Sequence, residues 1–331
     1  MSNTTSRLSP RVMRAPAVAR PRYCVISPCR DEAAFMEQTL DSVASQTVPP
    51  DLWVIVDDGS TDRTPDILAD YARRFPFIRV VRRANRGRRS MGCGVIEAFD
   101  AGLATIDLSE FDYVCKLDLD LVMPPSYFEI ILGRMQANSR LGTCSGKPYY
   151  VDKTSGRLVS EGCGDETSIG AAKFYRRECF REIGGFVREV MWDGIDCHRC
   201  RKLGWIACSW DEPDLRFIHL RPMGSSDHGI IRGRQRHGAG QYFMGTGPLY
   251  LAASAIFRMT KRPWILGGLA MLWGYFGSAL RRRRRLPDPD FRHFLRRFQS
   301  WCLLMGKRRA TAMFDKTGEA TWRARRDPLG S

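Results

Sequence analysis

Three short acidic stretches carry the chemistry this sequence can perform. Asp118-Leu119-Asp120 follows the β-rich run YVCKL at 113–117, and strand alternation turns both carboxylates to one side. Such a pair can hold a divalent cation through hard oxygen ligands and leave positions open for phosphate oxygens. Standing alone, a D-x-D triplet is better read as a solvated loop. Val56-Asp57-Asp58-Gly59-Ser60-Thr61-Asp62 is sharper. Paired carboxylates after a buried strand, then glycine and polar turn formers, make a pocket that accepts hydrogen bonds from a base or ribose. Its alternative is a helix start, with Thr61 or Asp62 serving only as the N-cap. The third stretch is Asp31-Glu32.

These groups need a frame. YCVIS at 23–27, LWVIV at 52–56, IRVV at 78–81 and YVCKL alternate with helical stretches near 32–46, 64–75 and 91–104 and from Pro124 onward. Thr64 is a candidate N-cap with Pro65 at the first helical position. Apolar runs without strict alternation, separated by helices, imply parallel strands covered on both faces, hence an open α/β sheet. Ligands bind beyond the carboxyl ends of such strands, where all three acidic stretches fall. The stretch 142–221 is mixed, with strands expected at 156–161, 168–175 and 205–210, helices at 177–183 and 193–202, and LRFIHLRP closing it at 215–222. A Gly- and Arg-rich loop is expected at 224–247.

Composition bounds the rest. The 331 residues are 44% hydrophobic, enough for one large core, and 52 Lys and Arg against 36 Asp and Glu leave a net charge of +16. That balance favours a polyanion, an anionic lipid surface or a phosphorylated ligand. The charge sits at the ends: residues 1–22 hold five Arg and no acid, and residues 281–331 hold 15 Lys or Arg against 5 acids. PLYLAASAIF at 248–257 and WILGGLAMLWGYFGSAL at 264–280 are apolar, and Arg281 to Arg285 follow. The second, at 17 uncharged residues, falls short of the roughly 20 that cross a bilayer and suits a helix lying in or entering the interface. A buried hairpin is the alternative. An amphipathic helix follows at 291–305, its stripe running from Phe291 to Met305. Eleven cysteines in mostly apolar runs read as buried thiols in a reducing compartment.

In order and spacing, VISPCRDE at 25–32, TLDSVASQT at 39–47, WVIVDDGSTD at 53–62 and KLDLD at 116–120 resemble glycosyltransferase family 2, as found in bacterial exopolysaccharide and cell-envelope enzymes. GGFVREVMWDGID at 184–196, KLGW at 202–205 and HLRPMGS at 219–225 continue the likeness. It implies a GT-A fold: a Rossmann-like, open, mostly parallel sheet with helices on both faces, here followed by membrane-associated C-terminal helices. The expected organisation is a disordered basic arm at 1–21 and a catalytic domain at 22–245, with a nucleotide-binding half at 22–122 and an acceptor half at 123–245. Basic, apolar and amphipathic membrane-associated helices fill 246–331.

Carried over residue by residue, the likeness implies that Pro28, Glu32 and Asp58 line the nucleotide pocket with Asp57, that Asp118 faces ribose and metal, and that Asp120 holds Mn2+ or Mg2+ at the diphosphate. Asp193 matches the general base, although many members carry Glu-Asp where this chain has Trp192-Asp193. His219 is open between a metal ligand and a structural role. Arg221, Arg234 and Arg236 suit a diphosphate, because guanidinium matches phosphate geometry. The expected reaction is inverting transfer from a nucleotide sugar, UDP-linked, to a lipid-linked acceptor such as a polyprenyl-diphosphate glycan, at the cytoplasmic face of an anionic membrane. A homo-oligomer stays open.

Other readings fit less well. A basic nucleic-acid-binding protein would interleave cations and aromatics on one face, so no nucleic acid is expected. A nucleotidyltransferase would need a Gly-rich phosphate loop where SPCRDE stands. Cys197-His198-Arg199-Cys200 lacks the second cysteine pair of a zinc site, and Gly92-Cys93-Gly94 lacks the third glycine of a dinucleotide fingerprint.

Overall fold

A computed structural model describes residues 20–87, 92–221 and 229–326. In chain order its first half runs β1 (Tyr23–Cys29), α1 (Met36–Ala44), β2 (Leu52–Asp57), α2 (Thr64–Arg74), β3 (Ile78–Arg82), α3 (Cys93–Leu103), β4 (Tyr113–Leu117), β5 (Leu121–Val122) and α4 (Tyr127–Ala137). The second part adds β6 (Leu141–Ser145), β7 (Lys147–Val151), β8 (Leu158–Ser160), β9 (Ala172–Arg176), α5 (Arg177–Glu182), α6 (Trp192–Lys202), β10 (Ile206–Ser209) and β11 (Arg216–His219). Five helices follow: α7 (Ile230–Met244), α8 (Pro248–Met259), α9 (Trp264–Leu280), α10 (Pro289–Met305) and α11 (Lys307–Ala324).

Seven strands form one sheet in the order β10-β6-β9-β4-β1-β2-β3. Every pairing is parallel except those of β9, which is antiparallel to both β4 and β6. Strand alternation builds two cores. Val25, Trp53 and Cys115 point to the face covered by Leu40, Leu68 and Phe128 of α1, α2 and α4. Their neighbours Ile26, Val54 and Val114 point to the face covered by Phe99 of α3 and Cys197 of α6. A smaller sheet, β5-β11-β7-β8, lies beyond the end of β4 and joins the residues after it to β11.

Two local expectations are corrected. Thr64 does not cap α2; its hydroxyl accepts from the Glu32 amide (2.9 Å), while Asp62 Oδ1 accepts from the Thr64 amide (2.9 Å). Where the loop at 224–247 was expected, residues 230–244 form α7. Glycine disfavours helix, but here it admits close contact. A Cβ on Gly238 would stand 1.9 Å from the Met271 carbonyl oxygen, and one on Gly274 would stand 2.0 Å from that of Gln235, so α7 and α9 touch backbone to backbone. Residues 222–228 of that stretch, with most of the arm at 1–21, lie outside the described residues.

No described helix is long and apolar enough to cross a membrane. Helix α10 closes on α6, where His198 stacks edge-on against Phe298 with ring centroids 5.1 Å apart. Burial, then the nearby Arg201, Lys307 and Lys173 charges, hold this imidazole neutral with its pKa lowered to about 3.

Two measurements test this packing. Because the unfolded chain would protonate His198 near the ordinary histidine value, its contribution is complete above about pH 6.5 and is lost as pH falls toward 3. Urea unfolding over that window should fall less steeply for His198→Gln than for the wild-type chain. Gly274→Ala should lower stability by about 2 kcal/mol or more, because the new methyl meets a carbonyl oxygen that cannot rotate away.

Candidate active site

The acidic stretches meet beyond the carboxyl ends of β1, β2 and β4. Glu32 lies just past β1, and Arg221 is the hinge of the cluster. Its Nη2 donates to both oxygens of the Glu32 carboxylate (2.6 and 2.7 Å), and its Nε donates to Asp120 Oδ2 (2.7 Å). The guanidinium also lies over the Phe35 ring at 5.2 Å. Across Asp120 stands His219, its Nε2 3.6 Å from Asp120 Oδ1 and its Nδ1 donating to Glu161 Oε2 (3.1 Å). Burial opposes charging of His219, but the carboxylates on either side outweigh it and push the imidazole up to about 10. Burial likewise opposes ionisation of Asp120, yet His219 and Arg221 bring its carboxyl down to about 2. The β5–β11 pairing makes this possible, bringing His219 opposite Leu121 in the next strand.

Asp118, on the other side of the triplet, pairs with the buried Lys116. Lys116 Nζ also donates to the Gly170 carbonyl (2.9 Å). Gly170 in turn lies against Asp193: a Cβ built there would stand 3.1 Å from Asp193 Oδ2. The carboxylates of Asp118 and Asp193 thus flank a single backbone segment, from elements 75 positions apart in the chain. Asp193 sits in the first turn of α6, and its carbonyl accepts from Lys173 Nζ (2.7 Å). Lys173 is fully buried in an ion pair with Asp196, whose second oxygen accepts from the Tyr175 hydroxyl. The Trp192 ring lies against both lysines, 5.4 Å from Lys116 Nζ and 5.5 Å from Lys173 Nζ. This cation–π bracket gives the tryptophan beside Asp193 a physical reason.

The residues expected at the nucleotide also gather here. Pro28 closes β1 opposite Val56. Asp58 is clamped by Arg83 (2.7 Å) and Arg86, and its carbonyl accepts from Arg30 (3.2 Å). Asp57 Oδ1 accepts from the Ser60 amide (2.8 Å); Oδ2 is buried without a hydrogen-bond partner and faces Arg82 Nε at 3.6 Å. Of the three arginines expected at the diphosphate, Arg221 grips the acidic cluster, while Arg234 and Arg236 lie on α7. The Arg234 Nε is buried without a hydrogen-bond partner. His237, in the next turn, is close enough to Asp193 to feel its charge. Cys197 and Cys200 take separate neighbours, Ser168 and Cys179.

Sequence reasoning missed Lys116, Glu161, Lys173 and the arginines on Asp58. Lys116 had a signal, standing two residues before Asp118 on the same strand face. Glu161 had none, since only the fold brings it to His219.

A seven-stranded α/β sheet with acidic groups converging at its carboxyl edge defines the class: this is the GT-A fold. In agreement, the solved structure of GalNAc-T7 with UDP, GalNAc and Mn2+ superposes with a TM-score of 0.56 at 14% identity, covering 87% of this chain and 58% of that one. Residues 24–188 match the family described as Glycosyl transferase family 2, and the chain belongs to it. A poly-beta-1,6-N-acetyl-D-glucosamine synthase of Staphylococcus epidermidis is 29% identical over 127 residues, 38% of this chain and 28% of that protein. A beta-monoglucosyldiacylglycerol synthase of Synechocystis is 25% identical over 197 residues, 55% of this chain and 40% of that protein. The chain therefore spans less than half the length of either curated relative.

Removing the hinge tests the cluster. Arg221→Met leaves Glu32 and Asp120 buried without their shared cation and should cost about 3 kcal/mol in urea unfolding. Added Mn2+ should raise the melting temperature of that variant more than that of the wild-type chain.

Proposed function

We propose that the chain is an inverting glycosyltransferase that takes a sugar from a nucleotide donor, UDP-linked, and places it on a lipid-linked glycan such as a polyprenyl-diphosphate sugar. The site of action is the cytoplasmic face of the cell membrane, with the protein held peripherally or monotopically. The observation that carries this reading is the convergence of Asp193 and Asp118 at Gly170, with Asp120 two residues further along the chain. An acceptor hydroxyl must lose a proton while the leaving diphosphate gains charge, and the two demands need a carboxylate and a cationic patch side by side. The curated relatives are named for building a sugar polymer and a glycolipid, which supports sugar transfer.

The residues fit a divalent cation by chemistry. Asp118 and Asp120 offer hard oxygens, His219 offers an imidazole nitrogen, and Arg221 now supplies the positive charge that Mn2+ or Mg2+ would bring. Among the described residues no three such side chains are already gathered for a metal, so Arg221 would yield its place and His219 a proton. When bound, the cation neutralises charge on the diphosphate.

The chain's own groups do the rest. Asp57 and Asp58, beside Pro28 at the ends of β1 and β2, accept from the base and ribose; Asp57 Oδ2 makes no hydrogen bond of its own and faces only Arg82. Glu32 holds Arg221 toward the phosphates, and Arg234 and Arg236 add positive charge from α7. Asp193 receives the proton of the acceptor hydroxyl at its carboxylate, which the Lys173 contact to its own carbonyl keeps in place. Attack from the side opposite the diphosphate inverts the anomeric centre.

A screen of nucleotide sugars with Mn2+ or Mg2+, reading donor binding by calorimetry and donor hydrolysis or transfer, tests the reading. Asp193→Asn should lower turnover by about 10²- to 10⁴-fold with donor binding unchanged. Failure of every donor to bind the wild-type chain would sink the proposal, whereas unaltered turnover in Asp193→Asn would remove the base alone.

A further inference from the structure

Helix α9 exposes an unusual amount of apolar bulk for a water-soluble protein. Its buried side carries Gly267, Gly268, Gly274 and Ser278 beside Met271 and Tyr275, and a Cβ on Gly268 or Gly274 would stand 2.5 or 2.0 Å from the carbonyl oxygens of Ala255 and Gln235. Most of its large side chains point the other way. Leu266, Leu269, Trp273, Phe276 and Leu280 form one stripe at helical spacing, with Trp273 68% and Leu280 87% exposed, and Phe257 of α8 extends the same apolar ground. Soluble helices bury their large residues and expose their polar ones. Small residues between helices with bulky residues outside is the arrangement that lipid favours.

The rim is as one-sided as the stripe. Residues 229–287 contain eleven Lys and Arg and not one Asp or Glu. Arg258, Lys261 and Arg262 stand at one end of α9, and Arg281 to Arg285 stand at the other, all five exposed. At 17 residues the helix is about 25 Å long, too short to cross the roughly 30 Å hydrocarbon core. An apolar face bounded at both ends by cations, on a helix too short to span, is complementary to the headgroup boundary of an anionic leaflet.

We infer that α8 and α9 form a monotopic docking surface for an anionic phospholipid bilayer, lying in the plane of the interface with the Leu266–Leu280 stripe in the acyl chains and the arginine clusters among the phosphates. The surface is joined directly to the candidate active site. Helix α7 packs backbone to backbone on α9 at Gly238 and Gly274, and its Gly240 abuts Met191, which immediately precedes α6 and stands two residues before Asp193. A bilayer beneath α9 therefore lies one helix layer from the start of α6, where a lipid-linked acceptor would present its sugar. The docking surface stands on these helices alone; only its link to an acceptor rests on the transferase reading.

Flotation of the full chain with vesicles tests it, phosphatidylcholine alone against phosphatidylcholine with phosphatidylglycerol. The wild-type chain should float with the anionic vesicles, weakly with the neutral ones, and less as salt rises. The triple replacement of Arg281, Arg283 and Arg284 by Gln should weaken anionic binding by about a hundredfold, and Leu269→Glu with Trp273→Glu should abolish it. Should the glutamates disturb folding, acyl-chain-brominated lipids provide a second reading. They should quench wild-type tryptophan fluorescence, and the quenching should fall in Trp264→Phe and Trp273→Phe. A chain that stays in solution with both vesicle types overturns the inference. So does a stable dimer that ignores vesicles and that Trp273→Glu converts to monomers, since a second copy then covers the stripe. Donor hydrolysis read without vesicles separates the two proposals: a chain that hydrolyses donor without floating loses only the docking surface, and one that floats without binding any donor loses only the transferase.

Discussion

One guanidinium holds the acidic edge of this protein together. Glu32, Asp120 and Glu161 come from three distant stretches and are all nearly excluded from water, an arrangement that self-repulsion would force apart. Arg221 binds the first two, and a protonated His219 bridges the second and third. The geometry of the cluster is thus set by positive charge lent by β11 and the residue that follows it. That dependence explains why the small β5–β11–β7–β8 sheet exists at all: without it, the cations would not reach the end of β4. Any ligand cation that enters here exchanges places with protein cations and does not fill a void.

The support beneath Asp193 follows a different logic. Lys173 and Asp196 are buried in a mutual ion pair, a costly arrangement unless every remaining donor and acceptor is met. Here the lysine also binds the Asp193 carbonyl and the aspartate also takes the Tyr175 hydroxyl, so the pair fastens the first turn of α6 to β9. Since β9 runs antiparallel beside β4, the same strand that anchors α6 also adjoins Lys116, opposite Lys173 in the ladder. Two neighbouring lysines therefore fix two carboxylates from separate parts of the chain, with the Trp192 ring against both.

What the sequence disclosed and what it hid divide along physical lines. Buried parallel strands leave an unmistakable apolar signature, so β1 to β4 and the acidic stretches after them could be placed from residue types alone. The same holds for the stripe of α10. Helix α7 was hidden because its glycines read as loop when propensity is considered by itself; only the carbonyls of a neighbouring helix make them useful. Glu161 and Lys173 were hidden for a related reason. Their partners are separated from them by 58 and 23 positions, and a lone glutamate or lysine carries no mark of the strand it will face. Thr64 shows a subtler failure: it is the first residue of α2 and not its cap, and its hydroxyl accepts from the Glu32 amide.

The long stretch without a carboxylate has a consequence of its own. Nearly all of its cations are arginines, whose guanidinium groups keep their proton throughout the physiological range. Acidification or alkalinisation inside a cell would leave the electrical character of that flank untouched, and no carboxylate is present to recruit calcium as a bridge. Adhesion through it would respond to ionic strength and to the headgroup mixture of the leaflet and not to pH or calcium.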